Sequence, residues 1–304
     1  MPLPGFQTFM LPLLRFASDG KEHTLIGAYD HLAQEFAITD EVRSELLASG
    51  KQSKFENRIG WCRTYLQKAG LLESTGRARF CITERGRQVL STNPREINIK
   101  YLNQFPEFIE FHKGTDKSGK ATDSANDEAK GLTKSPDEIL DEAYLNLRTA
   151  LAEELLARVK KCPPSFFEKL VVDLLVAMGY GGSRKDAGAR IGKSGDEGVD
   201  GIIKEDRLGL DIVYIQAKRW EGPVGRPVVQ AFAGSLEGFR ARKGVLITTS
   251  KFTPDAHSYI ERIEKKIVLI DGEQLAQFMI DFGIGVSEVN HYVVKKMDQD
   301  YFEE

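Results

Sequence analysis

Three residues of this chain have the types and spacing for metal-assisted hydrolysis: Asp200 in Gly198-Val199-Asp200-Gly201, and Gln216 and Lys218 in Tyr214-Ile215-Gln216-Ala217-Lys218. Breaking a phosphodiester needs a polarised phosphoryl oxygen, a deprotonated water and neutralisation of the charge that builds at the pentavalent centre. A magnesium ion held by hard oxygen ligands, with positions left for water and phosphate, meets all three needs. Asp200 supplies a carboxylate, Gln216 an amide oxygen and Ala217 a main-chain carbonyl, so these three are the candidate metal ligands. Lys218 is the candidate group for orienting water or stabilising developing charge. The catalytic set read from the chain is Asp200, Gln216 and Lys218, with Mg2+ as cofactor.

These residues converge only if the backbone brings them together. Ile202 and Ile203, then Ile212 to Ile215, are β-branched or aromatic and are bounded by Gly and Asp, so two adjacent strands are expected. Alternation puts Gln216 and Lys218 on one face and Ala217 on the other. Antiparallel pairing of the two strands would add Asp200 to the Gln216 face. Around them the chain reads as a helix over Phe166–Met178, strands near Ser183–Ile191, Gly198–Lys204 and Leu210–Arg219, and a helix over Pro227–Phe239. A strand at Gly244–Thr249, a helix at Thr253–Glu264, a strand at Lys266–Ile270 and a helix from Gly272 to about Phe282 complete it. The order α-β-β-β-α-β-α-β implies a mixed sheet with helices on both faces.

Composition narrows the alternatives. At 304 residues, with 41% hydrophobic and 29% charged residues, the chain suits a soluble protein of two domains. Cys62, Cys81 and Cys162 have no zinc-ligand spacing and suit a reducing compartment. The longest apolar run, Leu170 to Met178, is interrupted by Asp173 and is far too short to span a bilayer. No basic residue precedes Arg15, which argues against a secretory signal. A cytoplasmic protein without membrane contact is expected. Gly192-Lys193-Ser194 resembles the end of a P-loop, but Ala187 stands where the first glycine belongs, so nucleotide hydrolysis is not expected.

The net charge of −3 hides an uneven distribution: between Lys51 and Arg87, nine basic residues face only Glu56, Glu73 and Glu84. In this stretch Lys54–Ala69 is an amphipathic helix with Phe55, Ile59, Cys62 and Leu66 on one side. Helices near Phe6–Ala17, Leu25–Phe36 and Asp40–Ala48 precede it. Strands at Leu71–Ser74 and Arg79–Ile82 and a helix begun by Thr83 follow it. This is the layout of a winged helix-turn-helix over residues 1–95, whose basic helix enters the major groove and whose wing touches phosphates. Arg58, Arg63, Arg77 and Arg79 are its candidate DNA contacts. Residues 96–135 read as a connecting segment ending in a flexible linker, since 112–127 carry no large apolar residue. Ser135-Pro136-Asp137-Glu138 starts a linking helix over 136–161. A catalytic domain over 162–290 and a tail over 291–304 complete the division.

The α-β-β-β-α-β core with Asp200 and Gln216-Ala217-Lys218 resembles the PD-(D/E)xK nucleases. Together with the winged helix it is similar to the Mrr-type (type IV) restriction endonucleases. Pro164-Ser165-Phe166-Phe167-Glu168, Gly195-Asp196-Glu197-Gly198-Val199-Asp200-Gly201, Gln216-Ala217-Lys218-Arg219-Trp220, Val224-Gly225-Arg226-Pro227 and Ile247-Thr248-Thr249-Ser250 carry the resemblance. It implies cleavage of methylated double-stranded DNA and a catalytic role for Glu168, which otherwise reads as a surface acid. Val199 replaces the family's proline, and Gln216 replaces the usual second carboxylate, removing one charge from the metal site. Arg219 and Arg226 are candidate contacts to the DNA backbone, and Thr248 to Ser250 either bind phosphate or satisfy the turn. Cutting both strands needs two active sites, hence a homodimer or higher homo-oligomer, with the 136–161 helix as a candidate interface. A repair or junction-processing nuclease, or an inactive DNA-binding regulator, are the alternative readings.

Overall fold

The computed structural model describes residues 2–50, 52–115, 133–181, 199–205 and 211–295. The strand expected at Ser183–Ile191, the Gly195–Gly198 segment, the linker residues 116–132 and the tail from 296 onward lie outside the described residues. The chain divides into two compact units, the first running to Asn146 and the second from Leu147 to Val293.

In the first unit a 3₁₀ turn at Phe6–Phe9 leads into α1 (Met10–Phe16), followed by β1 (His23–Thr24), α2 (Leu25–Glu35), α3 (Asp40–Ser44) and α4 (Lys54–Lys68). Then come β2 (Leu72–Gly76), β3 (Arg79–Ile82), α5 (Glu84–Ser91), α6 (Ile99–Leu102) and α7 (Pro106–Thr115). The strands form an antiparallel sheet in the order β1-β3-β2. Helix α4 starts where the Ser53 hydroxyl accepts the Glu56 N–H, and it buries Phe55, Ile59, Cys62 and Leu66, the stripe expected from a 3.6-residue period. The wing turns at Ala78, which takes a left-handed φ of 53°. Strand β1 was not anticipated; two residues are too few to alternate.

The core of this unit extends past residue 95, where the winged helix was expected to end. Ile97, Leu102 and Phe108 are fully buried in the same cluster as Phe9, Phe55 and Phe80, and the Tyr65 ring meets Phe108 and Phe111 edge-on. Residues 96–115 are therefore structural, because their aromatic side chains complete the apolar cover of α4. The start of α8 (Pro136–Lys161) is also part of this unit. Ser135 N–H donates to Glu138 and Glu138 N–H to the Ser135 hydroxyl, a reciprocal capping box in which both residues are buried.

The second unit contains the rest of α8, then α9 (Pro164–Ala177), β4 (Gly201–Lys204), β5 (Ile212–Lys218), α10 (Arg226–Gly238), β6 (Lys243–Thr248), α11 (Pro254–Ile260), β7 (Lys266–Ile270) and α12 (Gly272–Asp281). The sheet order is β4-β5-β6-β7, with β4 antiparallel to β5 and the other pairs parallel, the mixed sheet anticipated. One face packs Val213, Ile215 and Ile247 against Phe167, Leu170, Val171 and Leu174 of α9 and Leu275 and Met279 of α12. The other packs Tyr214, Leu246 and Leu269 against Val229, Phe232 and Leu236 of α10 and Ala256 of α11. Gly244 is required beneath α10, since a Cβ there would stand 2.8 Å from the Phe232 ring.

Candidate active site and nucleic-acid interface

The site is built where β4 begins and β5 ends. In the antiparallel pair Gly201 stands opposite Ile215 and Ile202 opposite Tyr214. Alternation along β5 then puts Gln216 and Lys218 on the face of Tyr214, and Asp200, one step before β4, on the face of Ile202. The three candidate residues therefore share the α10 face. Asp200 is fixed from two sides: its N–H donates to the Ile215 carbonyl at 2.9 Å, and its Oδ2 accepts the Ala217 N–H at 2.7 Å. Gln216 is 4% exposed, while Asp200, Ala217 and Lys218 are half-buried. A carboxylate pinned by a main-chain N–H is held in one orientation before any ligand arrives.

Glu168 is half-buried on α9, the helix on the other face, and no described contact ties it to Asp200. Thr248, Thr249 and Ser250 have structural work. Their hydroxyls donate to the carbonyls of Lys218, Trp220 and Glu221 at 2.9, 2.8 and 3.2 Å. The turn-satisfying reading therefore accounts for them, and a phosphate-binding role is not needed.

The arginines divide by what they touch. Arg58 was expected to meet DNA, and the structure corrects this. Its side chain is only 12% exposed, pairs with Glu138 (7% exposed) at 3.0 Å, and donates to the carbonyls of Leu3 and Pro4. The neighbouring Asn57 and Trp61 both donate to Asp137. The amino-terminal half of α4 is thus bound to the acidic start of α8. Arg63, on α4, is half-buried, and burial pulls its pKa down. Arg77 is exposed on the wing, and Arg79 beside it is exposed and paired with Glu22. In the second unit Arg226 lies over the Tyr259 ring and 3.8 Å from Asp255. Arg219 donates to two main-chain carbonyls, Lys160 at 2.9 Å and Cys162 at 2.8 Å. Those acceptors were invisible in the sequence, because a carbonyl partner nearly 60 residues away leaves no pattern.

A mixed β-sheet with an acid at the start of one strand and Gln-x-Lys at the end of the next defines a candidate phosphodiesterase core of restriction-endonuclease type. Residues 159–279 match the catalytic family model described as restriction endonuclease, Mrr_cat, and residues 6–92 match the Mrr N-terminal domain. Over 310 aligned residues, covering 100% of both chains, the sequence is 37% identical to the "Type IV methyl-directed restriction enzyme EcoKMrr" of Escherichia coli (strain K12). The chain belongs to the Mrr family of restriction endonucleases, DNA-hydrolysing nucleases. Among solved structures it is similar to the MspJI restriction endonuclease bound to a 27-mer oligonucleotide, at 18% identity and a TM-score of 0.28, covering 66% of this chain and 47% of that one. It is also similar to the "DNA modification-dependent restriction endonuclease AspBHI", at 17% identity and a TM-score of 0.31, covering 70% and 56%. The chain thus spans about half the length of each. No described helix is long and apolar enough to cross a membrane.

Proposed function

We propose that this protein is a cytoplasmic, Mg2+-dependent endonuclease that cleaves methylated double-stranded DNA, with Asp200, Gln216 and Lys218 as its catalytic centre. The observation that carries the reading is the 2.7 Å hydrogen bond from Ala217 N–H to Asp200 Oδ2, which joins the acid to the Gln-x-Lys strand. The full-length relative named as methyl-directed supports the substrate.

The donor set fits a hard divalent cation. Asp200 gives a charged oxygen and Gln216 a neutral one. Ile215 turns its carbonyl and Ala217 its N–H toward Asp200, so strand geometry puts the Ala217 carbonyl on the same edge. Asp200, Gln216 and Ala217 would hold the ion, and Glu168 would add a second carboxylate if α9 presents it at the end of β5. Bound there, Mg2+ supplies charge neutralisation at the phosphate and activation of a water. The chain's own residues do the rest. Ala217 N–H holds the Asp200 carboxylate in place, and the neighbouring strand gives Gln216 a buried, fixed setting. Lys218 offers its ammonium to the charge that develops on the phosphate.

In the first unit, Arg63, Arg77 and Arg79 are the proposed DNA contacts, and Arg226 is a proposed backbone contact in the second. Cutting both strands calls for a homodimer or higher homo-oligomer. Methylated and unmethylated plasmids should be incubated with the protein, with and without magnesium. Nicking of the methylated plasmid alone, abolished by chelation, is expected. Equal cutting of both would refute the substrate assignment, and cutting in excess chelator would refute the metal.

A further inference from the structure

Resting on that reading of the centre, we propose that Arg219 is a positioning residue that docks the α8–α9 corner onto the catalytic strand, and not a contact to DNA. The last turn of a helix leaves carbonyls without partners and carries the negative end of the helix dipole. Arg219 answers both, donating from Nη1 to Lys160 O, in the last turn of α8, and to Cys162 O just beyond it. Cys162 directly precedes Pro163, the N-cap of α9. Arg219 itself follows Lys218, the last residue of β5. One guanidinium therefore fastens the start of α9, the helix that carries Glu168, to the strand end that carries Gln216 and Lys218.

The opposite side of the same strand end is fastened independently. Lys218 O accepts the Thr248 hydroxyl at 2.9 Å and the Thr249 N–H at 3.3 Å, and the Thr249 hydroxyl reaches Trp220 O at 2.8 Å. Thr248 and Thr249 are fully buried. The backbone of 218–220 is thus held between the end of β6 and the α8–α9 corner, with Lys218 as the last strand residue in the clamp. The hydroxyls hold the strand end to β6, and among the described residues the Arg219 side chain gives it a hydrogen-bonded link to the α8–α9 corner. Loss of Arg219 leaves Lys218 on its strand and α9 packed on the sheet, but releases the α8–α9 corner from which α9 presents Glu168.

This assigns Arg219 a signature that differs from a phosphate contact. A displacement of about 1 Å at a reacting group can cost roughly 100-fold in rate without weakening binding. Arg219→Ala should lower kcat on methylated DNA by about 10- to 100-fold while KM is unchanged. Arg219→Lys, whose ammonium can donate to the same carbonyls from a differently shaped side chain, should recover part of kcat. DNA affinity of both variants, measured without metal over a salt series, should match the parent in magnitude and slope. Amide exchange at Cys162 and Phe166, whose N–H groups bond within the α8–α9 corner, should accelerate in Arg219→Ala while Thr249 stays protected.

If affinity falls and the salt slope drops by about 0.9, the value of one lost phosphate contact, Arg219 binds DNA and the proposal is overturned. An unchanged kcat in Arg219→Ala would overturn it equally. Thermal melting of Arg219→Lys serves as the folding control. A parent protein that cuts no DNA would refute the nuclease reading instead, a result distinct from either outcome for Arg219.

Discussion

Removing Arg58 should damage the fold of the first unit and leave DNA binding nearly intact. Its guanidinium pairs at 3.0 Å with Glu138, both side chains being nearly buried, and it also donates to Leu3 and Pro4 carbonyls. Arg58→Ala strands the Glu138 carboxylate, which among the described residues keeps the Ser135 N–H. Breaking one side of a buried pair costs about 3–5 kcal/mol, and the surviving hydrogen bond puts the expectation near 3. For a unit of this size that is a fall in Tm of roughly 6–12 °C. Arg58→Met combined with Glu138→Leu should recover much of the loss, because no charge is left buried alone. Melting curves measure the first effect. DNA affinity over a salt series, taken well below the transition, measures the second. The salt slope should stay at the parent value. An unchanged Tm together with a slope reduced by about 0.9 would show that Arg58 contacts phosphate, and the structural argument would fail.

Gln216→Glu adds a carboxylate to the metal site, so half-maximal activity should need less magnesium; an unchanged or higher requirement in a titration would remove Gln216 from the ligands. Gly86→Ala should lower Tm, because a Cβ would stand 2.3 Å from Leu71 O and 2.7 Å from Ile82; overpacking of this kind costs about 1–3 kcal/mol, and an unchanged melt would contradict the close approach. Cys62 is buried, its thiol pushed well up by desolvation and donating to Phe6 O, so it should resist alkylation in the folded protein while the partly buried Cys162 reacts. Mass-mapped labelling before and after denaturation checks this.

What was legible in the sequence is what periodicity encodes. The stripe Phe55, Ile59, Cys62, Leu66 repeats at helical spacing, and the run Ile212 to Ile215 declares a strand, so α4 and β5 were expected within a residue or two of their ends. Asp200 could be placed on the face of Gln216 and Lys218 because an antiparallel register has few solutions once both strands are known, whereas the Ala217 N–H bond to Asp200 could not be read there. Long-range partners were not legible. Arg58 reads as one more basic residue of an amphipathic helix, and nothing near it in the chain announces Glu138, eighty positions on. The aromatic residues Phe105, Phe108 and Phe111 fall where the sequence reads as a connector, yet they complete the core, because a short helix after a proline has too few turns for a clear period. Helix α11 stops at Ile260, four residues before the expected end. Arg219 shows the same limit at the site, since both its partners are main-chain carbonyls.

Plasmid nicking decides whether Asp200 and Lys218 form the cutting centre. Parent, Asp200→Ala and Lys218→Ala proteins of matched melting temperature are compared on methylated supercoiled DNA with magnesium. The parent should nick, and both variants should still bind DNA but cut it at rates lower by a factor of about 100 or more. Variants that cut as fast as the parent would place the chemistry elsewhere and contradict that assignment.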